Sequence, residues 1–302
     1  MKIDSNNLEN TFVIGDVHGC YYTLLNLIEQ LPQNADLIFV GDLCDKGNFS
    51  KEVIDLIIAN EYLCIKGNHE KLYQTHILDA VSKNIQSPWS SDIRYGGKNT
   101  IKSYKGDIAR IKSHVLWMQE LPNYIEIDKY FITHGFALEF YKNKDSSSYQ
   151  EKLLLNRYFV DTLEPEVKED IINVFGHCSF NKVQEGKKFF CIDTACSNGS
   201  KLSALQLSTH KIYQEDMNIR DSSYCIKELT LDAFDQNCSL EDIQNISLEK
   251  ECHYYAYDII SHDVLLFIIE KFKEKGMQEI LKMEKRSVVF QKQLTRIIKT
   301  KY

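Results

Sequence analysis

Short apolar runs and amphipathic segments alternate along the first quarter of the chain. Three runs rich in β-branched and aromatic residues predict buried strands at residues 11–14, 36–40 and 62–65. The segments that follow them predict helices at residues 24–31, 53–59 and 69–81. This strand–helix order predicts a parallel sheet, and the carboxyl ends of its strands, where such sheets bind ligands, should lie together.

The middle of the chain predicts a second group of strands. Residues 124–127 and 130–133, joined at Asp128-Lys129, indicate a hairpin. A further buried strand is predicted at residues 171–175, and a closing antiparallel set is predicted at residues 189–192, 202–207 and 211–214. The polar, irregular stretch 83–122 is expected to form helices and loops that cap the ends of the strands.

Beyond residue 215 the pattern becomes mostly helical. A capping-box-like start at Ser239 precedes helical segments, one of which spans residues 263–275 and stops at Gly276. We therefore expect a domain of residues 1–215 followed by a mostly helical extension of residues 216–302. A chain of 302 residues that is 43% hydrophobic can form one large domain with such an appendage.

Composition narrows the class of protein. No apolar run approaches the roughly 20 residues that cross a bilayer, and the polar first residues show no signal core. The nine cysteines include no Cys-x-x-Cys pair, which favours reduced thiols in a cytoplasm over a disulfide framework. We therefore expect a cytoplasmic protein. Cys20, Cys44 and Cys178 lie near candidate functional residues, so a redox-sensitive site is an alternative to buried structural thiols.

Charge is unevenly distributed along the chain. The net charge is −7, yet residues 271–302 carry ten Lys and Arg against three Glu. The acidic remainder argues against general nucleic-acid binding. The basic end is expected to be a helical face that contacts solvent, the rest of this chain, an acidic partner or a membrane surface.

Residues of the types that commonly bind metal ions follow the predicted strands and lie next to glycines. They occur in Gly15-Asp16-Val17-His18-Gly19, Gly41-Asp42-Leu43-Cys44-Asp45 and Gly67-Asn68-His69-Glu70, and lone histidines follow at His134 and His177. Taken singly, each aspartate is most simply a cap and each histidine a structural residue. Taken together, the set suits two metal ions about 3.5–4 Å apart, which hydrolyse phosphate esters by supplying a hydroxide and clamping anionic oxygens.

Such a pair of ions needs carboxylate, imidazole and amide ligands, with one carboxylate shared. Six residues are the candidates: Asp16, His18, Asp42, Asn68, His134 and His177. The cysteines show no zinc-finger spacing, so a structural zinc site is not indicated.

The strings GDVHG, GDLCDKG and GNHE, followed by HG and GH, resemble those of the calcineurin-like metallophosphoesterases. Within this superfamily they resemble the phosphoprotein phosphatase branch, which includes bacterial Ser/Thr phosphatases and symmetrical diadenosine tetraphosphate hydrolases. The resemblance covers about residues 11–210 and includes Gly96-Gly97-Lys98-Asn99-Thr100 and Leu154-Leu155-Asn156-Arg157. It implies an α/β fold, a four-layer αββα sandwich, to which the helical extension is attached.

The resemblance also implies a role for each candidate. Asp16 and His18 would bind the first metal ion and Asp42 would bridge, while the second ion would be held by Asn68, His134 and His177. Manganese is the expected ion, with iron or zinc as alternatives, because mixed nitrogen and oxygen ligands accept all three. A metal-bridging hydroxide would attack phosphorus in line.

Proton transfer and phosphate binding would fall to other residues of the same motifs. By resemblance, His69 is the general acid that protonates the leaving alkoxide, and Asp45 orients its ring. Glu70 is expected to support this loop. Lys46 stands where the family usually has arginine, and it keeps the charge but loses the two-pronged donor. Arg157 is a candidate for a bidentate grip on phosphate, the alternative being an ordinary ion pair.

A second departure from the family is Ala195, where relatives usually have glycine, so that loop is expected to differ in shape. Three functions stay open. The first is a Ser/Thr-type phosphoprotein phosphatase. The second is hydrolysis of dinucleoside polyphosphates, with Trp89 or Trp117 stacking on a base. The third is a binding protein on a phosphatase fold that has lost catalysis, which Lys46 alone supports. A nuclease is disfavoured by the acidic body.

Overall fold

The computed structural model describes residues 8–92, 94–160 and 164–221. In these residues the strands are β1 (Thr11–Ile14), β2 (Asp36–Phe39), β3 (Leu63–Cys64), β4 (Tyr124–Ile127), β5 (Tyr130–Thr133), β6 (Ile172–Phe175), β7 (Gln184–Glu185), β8 (Phe189–Cys191), β9 (Lys201–Gln206) and β10 (Ile212–Asp216). The α-helices are α1 (Tyr21–Glu29), α2 (Ser50–Ala59), α3 (Asn68–Ser82), α4 (Pro88–Ser91), α5 (Gly97–Ser103), α6 (Ile108–Gln119) and α7 (Gln150–Leu155). These elements belong to one compact unit.

The first sheet has the strand order β10-β9-β1-β2-β3. Strands β1, β2 and β3 are parallel, which confirms the prediction for residues 11–65. Strands β9 and β10 extend this sheet as an antiparallel pair beside β1. The loops after β1, β2 and β3 therefore lie along one edge.

The second sheet has the order β4-β5-β6-β8-β7. The hairpin predicted between residues 124 and 133 is present as β4 and β5. The prediction that residues 189–192 join an antiparallel set with residues 202–214 was wrong, because β8 lies in the second sheet, parallel to β6 and antiparallel to β7, whereas β9 and β10 belong to the first. The run Phe189-Phe190-Cys191 is apolar on both faces, as strands buried between two layers are, and is therefore suited to a central position.

Side-chain alternation divides the apolar residues among the layers. In β1, Phe12 and Ile14 face helices α1, α2, α3 and α6, whereas Val13 faces the second sheet. In β5, Ile132 meets Val13 in the core between the sheets, and Phe131 lies in the outer core. The order of layers is helices, sheet, sheet and helical segments, so the αββα prediction is confirmed.

Residues 83–122 form the short helices α4, α5 and α6, as expected for that stretch. At the other end of the unit, the carboxylate of Asp221 accepts hydrogen bonds from the backbone N–H groups of Tyr22 and Thr23, at 3.0 and 2.7 Å. Residues up to 221 therefore pack on α1. Residues 222–302, which make up most of the predicted extension (216–302) and all of its basic end, lie outside the described residues, and the domain boundary after residue 215 stays a prediction.

None of the helices in the described residues combines the length and the apolar character that a membrane-spanning segment needs.

Candidate active site

The candidate ligands follow parallel strands of both sheets. Asp16 and Asp42 come after β1 and β2, and Asn68 is the first residue of α3. In the second sheet, His134 directly follows β5, and His177 follows β6 after one glycine. Because parallel strands end at the same edge, these residues converge although the sequence separates them widely.

Asp42 lies at the centre of the cluster. Its Oδ2 is 3.5 Å from Nε2 of His18 and 3.9 Å from Nε2 of His69, and its Oδ1 is 3.3 Å from Nε2 of His134. Two groups of metal-binding atoms share this carboxylate, one with His18 and His69 and the other with His134 and His177. Within each group the atoms lie within 4.8 Å of one another.

The rings of His18 and His134 direct Nε2 towards this centre. Burial lowers the pKa of His134, but the charge of Asp42 outweighs burial and raises that pKa above its ordinary value. Nδ1 of His18 donates to the carbonyl of Cys44 over 2.7 Å, and Nδ1 of His134 donates to that of Val40 over 2.8 Å. Histidines that bind metals characteristically donate their other ring N–H in this way. Burial and the nearby Lys46 hold the pKa of His18 well below its ordinary value, so its Nε2 keeps a lone pair.

His177 and Asn68 add further side-chain atoms that could bind a cation. Nε2 of His177 is buried without a hydrogen-bond partner among the described residues, and burial together with His134 lowers its pKa to about 3. Nε2 of His134 lies 3.0 Å from Oδ1 of Asn68. A proton on Nε2 of His134 makes this contact a hydrogen bond, and with that proton displaced both atoms could serve as ligands of one cation. The residues therefore suit a pair of divalent ions.

Asp16 differs from the other candidates. Its carboxylate accepts the backbone N–H of His177, at 3.1 and 3.3 Å, and it lies outside the two groups of ligand atoms around Asp42. Burial, Asp193 and Asp42 raise its pKa well above the ordinary value. Repulsion among buried carboxylates is relieved by a cation, so Asp16 fits the same centre.

His69 and Asp45 form a close pair, as expected for an acid and the group that orients it. Nδ1 of His69 is 2.6 Å from Oδ2 of Asp45, and the Asp45 side chain is fully buried. Sequence reasoning missed two further donors to this carboxylate: Nε1 of Trp89, 2.7 Å from Oδ2, and Oγ1 of Thr100, 2.7 Å from Oδ1. The signal for Thr100 was the segment 96–100 that resembles the family.

Glu70 supports the loops, as expected, and is not among the ligand groups. Its carboxylate accepts the backbone N–H groups of Asp42, Leu43 and Gly67, at 2.7, 2.8 and 2.8 Å. These bonds join the loop after β2 to the start of α3. The shared carboxylate Asp42 and the acid candidate His69 are thereby held in one rigid arrangement.

The two candidate phosphate-binding cations occupy different environments. Nζ of Lys46 lies 2.8 Å from Nε2 of His18, at the centre of the site. Arg157 is exposed, and its guanidinium forms no hydrogen bond or ion pair within the described part of the chain. Its charge helps to lower the pKa of His177, so it lies near the second group of ligands.

Strained backbone is concentrated in this region. Five of the residues singled out from the sequence have positive φ angles: His18 (46°), Asp42 (51°), Asp45 (71°), Lys46 (61°) and His177 (62°). Each costs about 1–3 kcal/mol and persists only where the surroundings enforce it, which is typical of functional sites. Ala195, the residue in place of the usual glycine, also has a positive φ, of 58°.

The cysteines near the site are buried structural thiols. Burial, together with Asp45 and Glu70, raises the pKa of Cys44 well above its ordinary value. A hydrogen bond with Cys196, together with burial, does the same for Cys20. A redox-sensitive site needs a cysteine that is accessible and ionised as a thiolate. These side chains are buried, and their raised pKa keeps them protonated.

Comparison with known proteins agrees with this geometry. The family model of calcineurin-like phosphoesterases matches residues 10–208, more than half of the chain. The chain therefore belongs to the calcineurin-like phosphoesterase family and is a hydrolase, as the sequence motifs predicted.

Relatives within the family carry different functions. The chain is 27% identical to serine/threonine-protein phosphatase 2 of Escherichia coli strain K12, over 67% of this chain and 94% of that one. It is 25% identical to the bis(5'-nucleosyl)-tetraphosphatase PrpE of Anoxybacillus flavithermus, named as asymmetrical, over 64% and 89%. A crystal structure described as "a putative diadenosine tetraphosphatase" superposes with a TM-score of 0.51 and 19% identity, covering 71% of this chain and 96% of that one, and supports the fold alone.

Proposed function

We propose that this chain is a phosphoprotein phosphatase of the Ser/Thr type that uses two divalent metal ions. One observation carries the proposal: the carboxylate of Asp42 belongs to two groups of candidate ligand atoms, and His69 of the first group is also bonded to the buried Asp45. An acid next to a dinuclear centre suits hydrolysis of an ester whose leaving group needs a proton.

The proposed ligands divide between the two ions. Asp16 and His18 would hold the first ion, Asp42 would serve both, and Asn68, His134 and His177 would hold the second. Manganese is the ion we propose, since the ligands are nitrogen and oxygen atoms, with iron or zinc as alternatives. When bound, the ions supply Lewis acidity, which neutralises phosphate charge and lowers the pKa of water.

The remaining side chains bind the ester and move a proton. The Nδ1–H of His69 bonds to Asp45, which leaves Nε2 to give a proton to the departing serine or threonine oxygen. Asp45 stabilises the charged ring and fixes its orientation. Lys46 and Arg157 supply positive charge for the phosphate oxygens, and Arg157 can do so with two parallel N–H donors.

A dinucleoside tetraphosphate is the second candidate substrate. Its support is the similarity to enzymes named for that activity, of which the PrpE relatives are named as asymmetrical. Trp89 is 1% exposed, so it cannot stack on a base as the sequence had suggested. Trp117 is partly buried against the core. Neither tryptophan therefore supports the stacking of a base.

The test is turnover by manganese-loaded protein of a phosphoserine and phosphothreonine peptide panel and of diadenosine tetraphosphate, side by side. Preferential hydrolysis of the peptides is expected. Preference for the dinucleotide would replace this proposal by the second candidate. No turnover of these substrates or of an aryl phosphate would support the non-catalytic binding protein.

Two variants separate metal binding from proton transfer. Asp42→Asn should lose bound metal and activity together, because one carboxylate serves both ions. His69→Asn should keep its metal and lose about 100-fold or more in kcat on an alkyl phosphate ester. Undiminished turnover by His69→Asn on such a poor leaving group would refute the role of His69.

A further inference from the structure

Asp45 has a partner that the proposed chemistry has not used. Nε1 of Trp89 donates to Oδ2 of Asp45 over 2.7 Å, the same oxygen that Nδ1 of His69 meets at 2.6 Å. Asp45 is fully buried and Trp89 is 1% exposed. The indole therefore hydrogen-bonds to the acid–base pair from the interior of the protein, where neither substrate nor solvent reaches it.

The surroundings fix the indole ring in place. A Cβ on Gly97 would lie 2.5 Å from Cδ2 and Cε2 of Trp89, so only glycine admits the contact between α5 and the ring. Tyr73 packs edge-on against the ring, and His76 stacks on it with centroids 6.1 Å apart. Helix α4 is capped by Ser87, whose side chain accepts the N–H of Ser90. The N–H of the indole is thus held towards Asp45.

The same segment holds the other oxygen of the carboxylate. Oγ1 of Thr100 donates to Oδ1 of Asp45 over 2.7 Å and accepts the backbone N–H of Asp45 over 2.9 Å. Gly96, with φ of +81°, packs so closely on Lys46 that a Cβ would lie 2.1 Å from its backbone nitrogen. The sequence motif at residues 96–100 resembles the family, but it had no predicted role. In the structure its residues contact Asp45 and Lys46.

We propose that Trp89 is a positioning residue for the acid–base pair. Its N–H fixes Oδ2 of Asp45, so that the carboxylate holds the His69 ring with Nε2 directed at the leaving group. This inference rests on the function proposed above. A buried carboxylate that loses one of three donors keeps an unsatisfied lone pair and gains freedom to turn. The imidazole that it orients then loses its fixed direction.

The first test is Trp89→Phe, which keeps an aromatic ring and removes the donor. For an alkyl phosphate, kcat should fall about tenfold, the range of one hydrogen bond to a charged group, while KM and metal content stay unchanged. For an aryl phosphate with a good leaving group, kcat should change little, because that ester needs no proton. A merely structural tryptophan would affect both esters alike, and equal losses would overturn the proposal.

Matched variants control for packing. Trp117→Phe removes a tryptophan of α6 that makes no hydrogen bond to Asp45, so the ratio of alkyl to aryl turnover should stay unchanged. Thr100→Val should lower that ratio as Trp89→Phe does, and Thr100→Ser, which keeps the hydroxyl, should restore it. Failure of Thr100→Ser to exceed Thr100→Val would contradict the hydrogen-bond explanation.

A second measurement does not depend on turnover. The chain has two tryptophans, so the zinc-loaded protein should show two indole N–H signals in a ¹H–¹⁵N NMR spectrum, and Trp89→Phe assigns them. The Nδ1–H signal of His69 should move in Trp89→Phe and stay in Trp117→Phe. If the wild-type protein turns over no phosphate ester, the proposed function fails, yet this comparison still decides about Trp89. An unmoved His69 signal would overturn the positioning role.

Discussion

Lys46 shows how one residue departs from the family pattern while keeping a place at the site. Its ammonium lies 2.8 Å from Nε2 of His18, the atom that would bind the first metal ion. One lone pair serves one partner, so metal binding at His18 requires the ammonium to leave that nitrogen. The released charge then lies beside the dinuclear centre, where it can bind an anionic phosphate.

The role of Lys46 can be tested by changing its charge and its shape separately. Lys46→Met should raise KM for a phosphorylated peptide about tenfold with a smaller effect on kcat, because the phosphate loses one charged donor. Lys46→Arg should lower KM below that of the natural protein, since a guanidinium offers two parallel donors. Steady-state kinetics of the three proteins measure both effects. An unchanged KM in Lys46→Met would exclude a contact with phosphate.

Candidate site residues that directly follow strands could be predicted from the sequence. Contacts between residues that are far apart in the sequence could not. His18, Asp42 and His134 follow apolar runs next to glycines, so local pattern and resemblance indicated them as candidates, and their side chains lie close together. Trp89 and Thr100 contact Asp45 across 44 and 55 residues, and neither contact leaves a periodic trace. Trp89 in particular is a large aromatic residue of the kind expected in a core. Its hydrogen bond to Asp45 could not be predicted from its residue type.

Between the helices of the first layer lies a buried chain of hydrogen bonds that the active site does not use. His114 of α6 accepts from the hydroxyl of Tyr104 at Nδ1 over 2.5 Å, and its Nε2 donates to Asp55 of α2 over 3.0 Å. Asp55 also pairs with Lys51 and Arg110. This arrangement requires a neutral imidazole, and burial lowers the pKa of His114 to about 4.

The buried His114 should make stability depend on pH. In the unfolded chain histidine takes up a proton near pH 6.5, whereas in the folded protein His114 resists protonation down to about pH 4. The unfolded state therefore binds more protons between these values, and the free energy of unfolding falls as pH falls. From pH 7 to pH 5 the loss should be about 2 kcal/mol from this residue.

Urea unfolding of the natural protein and of His114→Gln at both pH values isolates the effect, because other groups titrate alike in both. The natural protein should lose about 2 kcal/mol more than the variant on going from pH 7 to pH 5. Equal losses would mean that His114 is protonated in the folded state. Both proteins are measured after treatment with a chelator, so that loss of bound ions at low pH does not add to the effect.

At the level of elements, the predictable part of the fold was the part with regular apolar periodicity. Strand β1 was predicted within its observed bounds, and the hairpin of β4 and β5 followed from its two-residue turn. Strand β8 was assigned to the wrong set, because an all-apolar run does not reveal which sheet it will join. Pairing with β6 depends on the packing of Phe190 between the sheets, which no local pattern contains.

The candidate metal centre joins the two sheets of the molecule. Asp42 and Asn68 come from the first sheet, and His134 and His177 come from the second. Apart from these loops, the sheets meet through an apolar core that includes Val13 and Ile132. Apolar packing tolerates small shifts, whereas metal ligands must keep fixed distances. Bound ions should therefore stabilise the association of the sheets as well as support chemistry.

Metal binding should accordingly raise thermal stability. An ion at 100 times its dissociation constant stabilises the folded state by about 3 kcal/mol for each site, provided the unfolded chain does not bind it. For a domain of this size that corresponds to an increase in Tm of about 6–12 °C for one site. Differential scanning calorimetry with manganese and after treatment with a chelator measures the difference, and the chelated protein should unfold at the lower temperature.

The variant Asp42→Asn should abolish this difference in Tm, because its carboxylate is shared by both groups of ligands. Asp79→Asn is the matched control, since it removes a partly exposed carboxylate of α3 whose one ion pair among the described residues is with Lys83, at 2.8 Å. Asp79→Asn should keep the full response to manganese. If Asp42→Asn keeps it as well, the ions do not share Asp42, and the link between the sheets must lie in other residues.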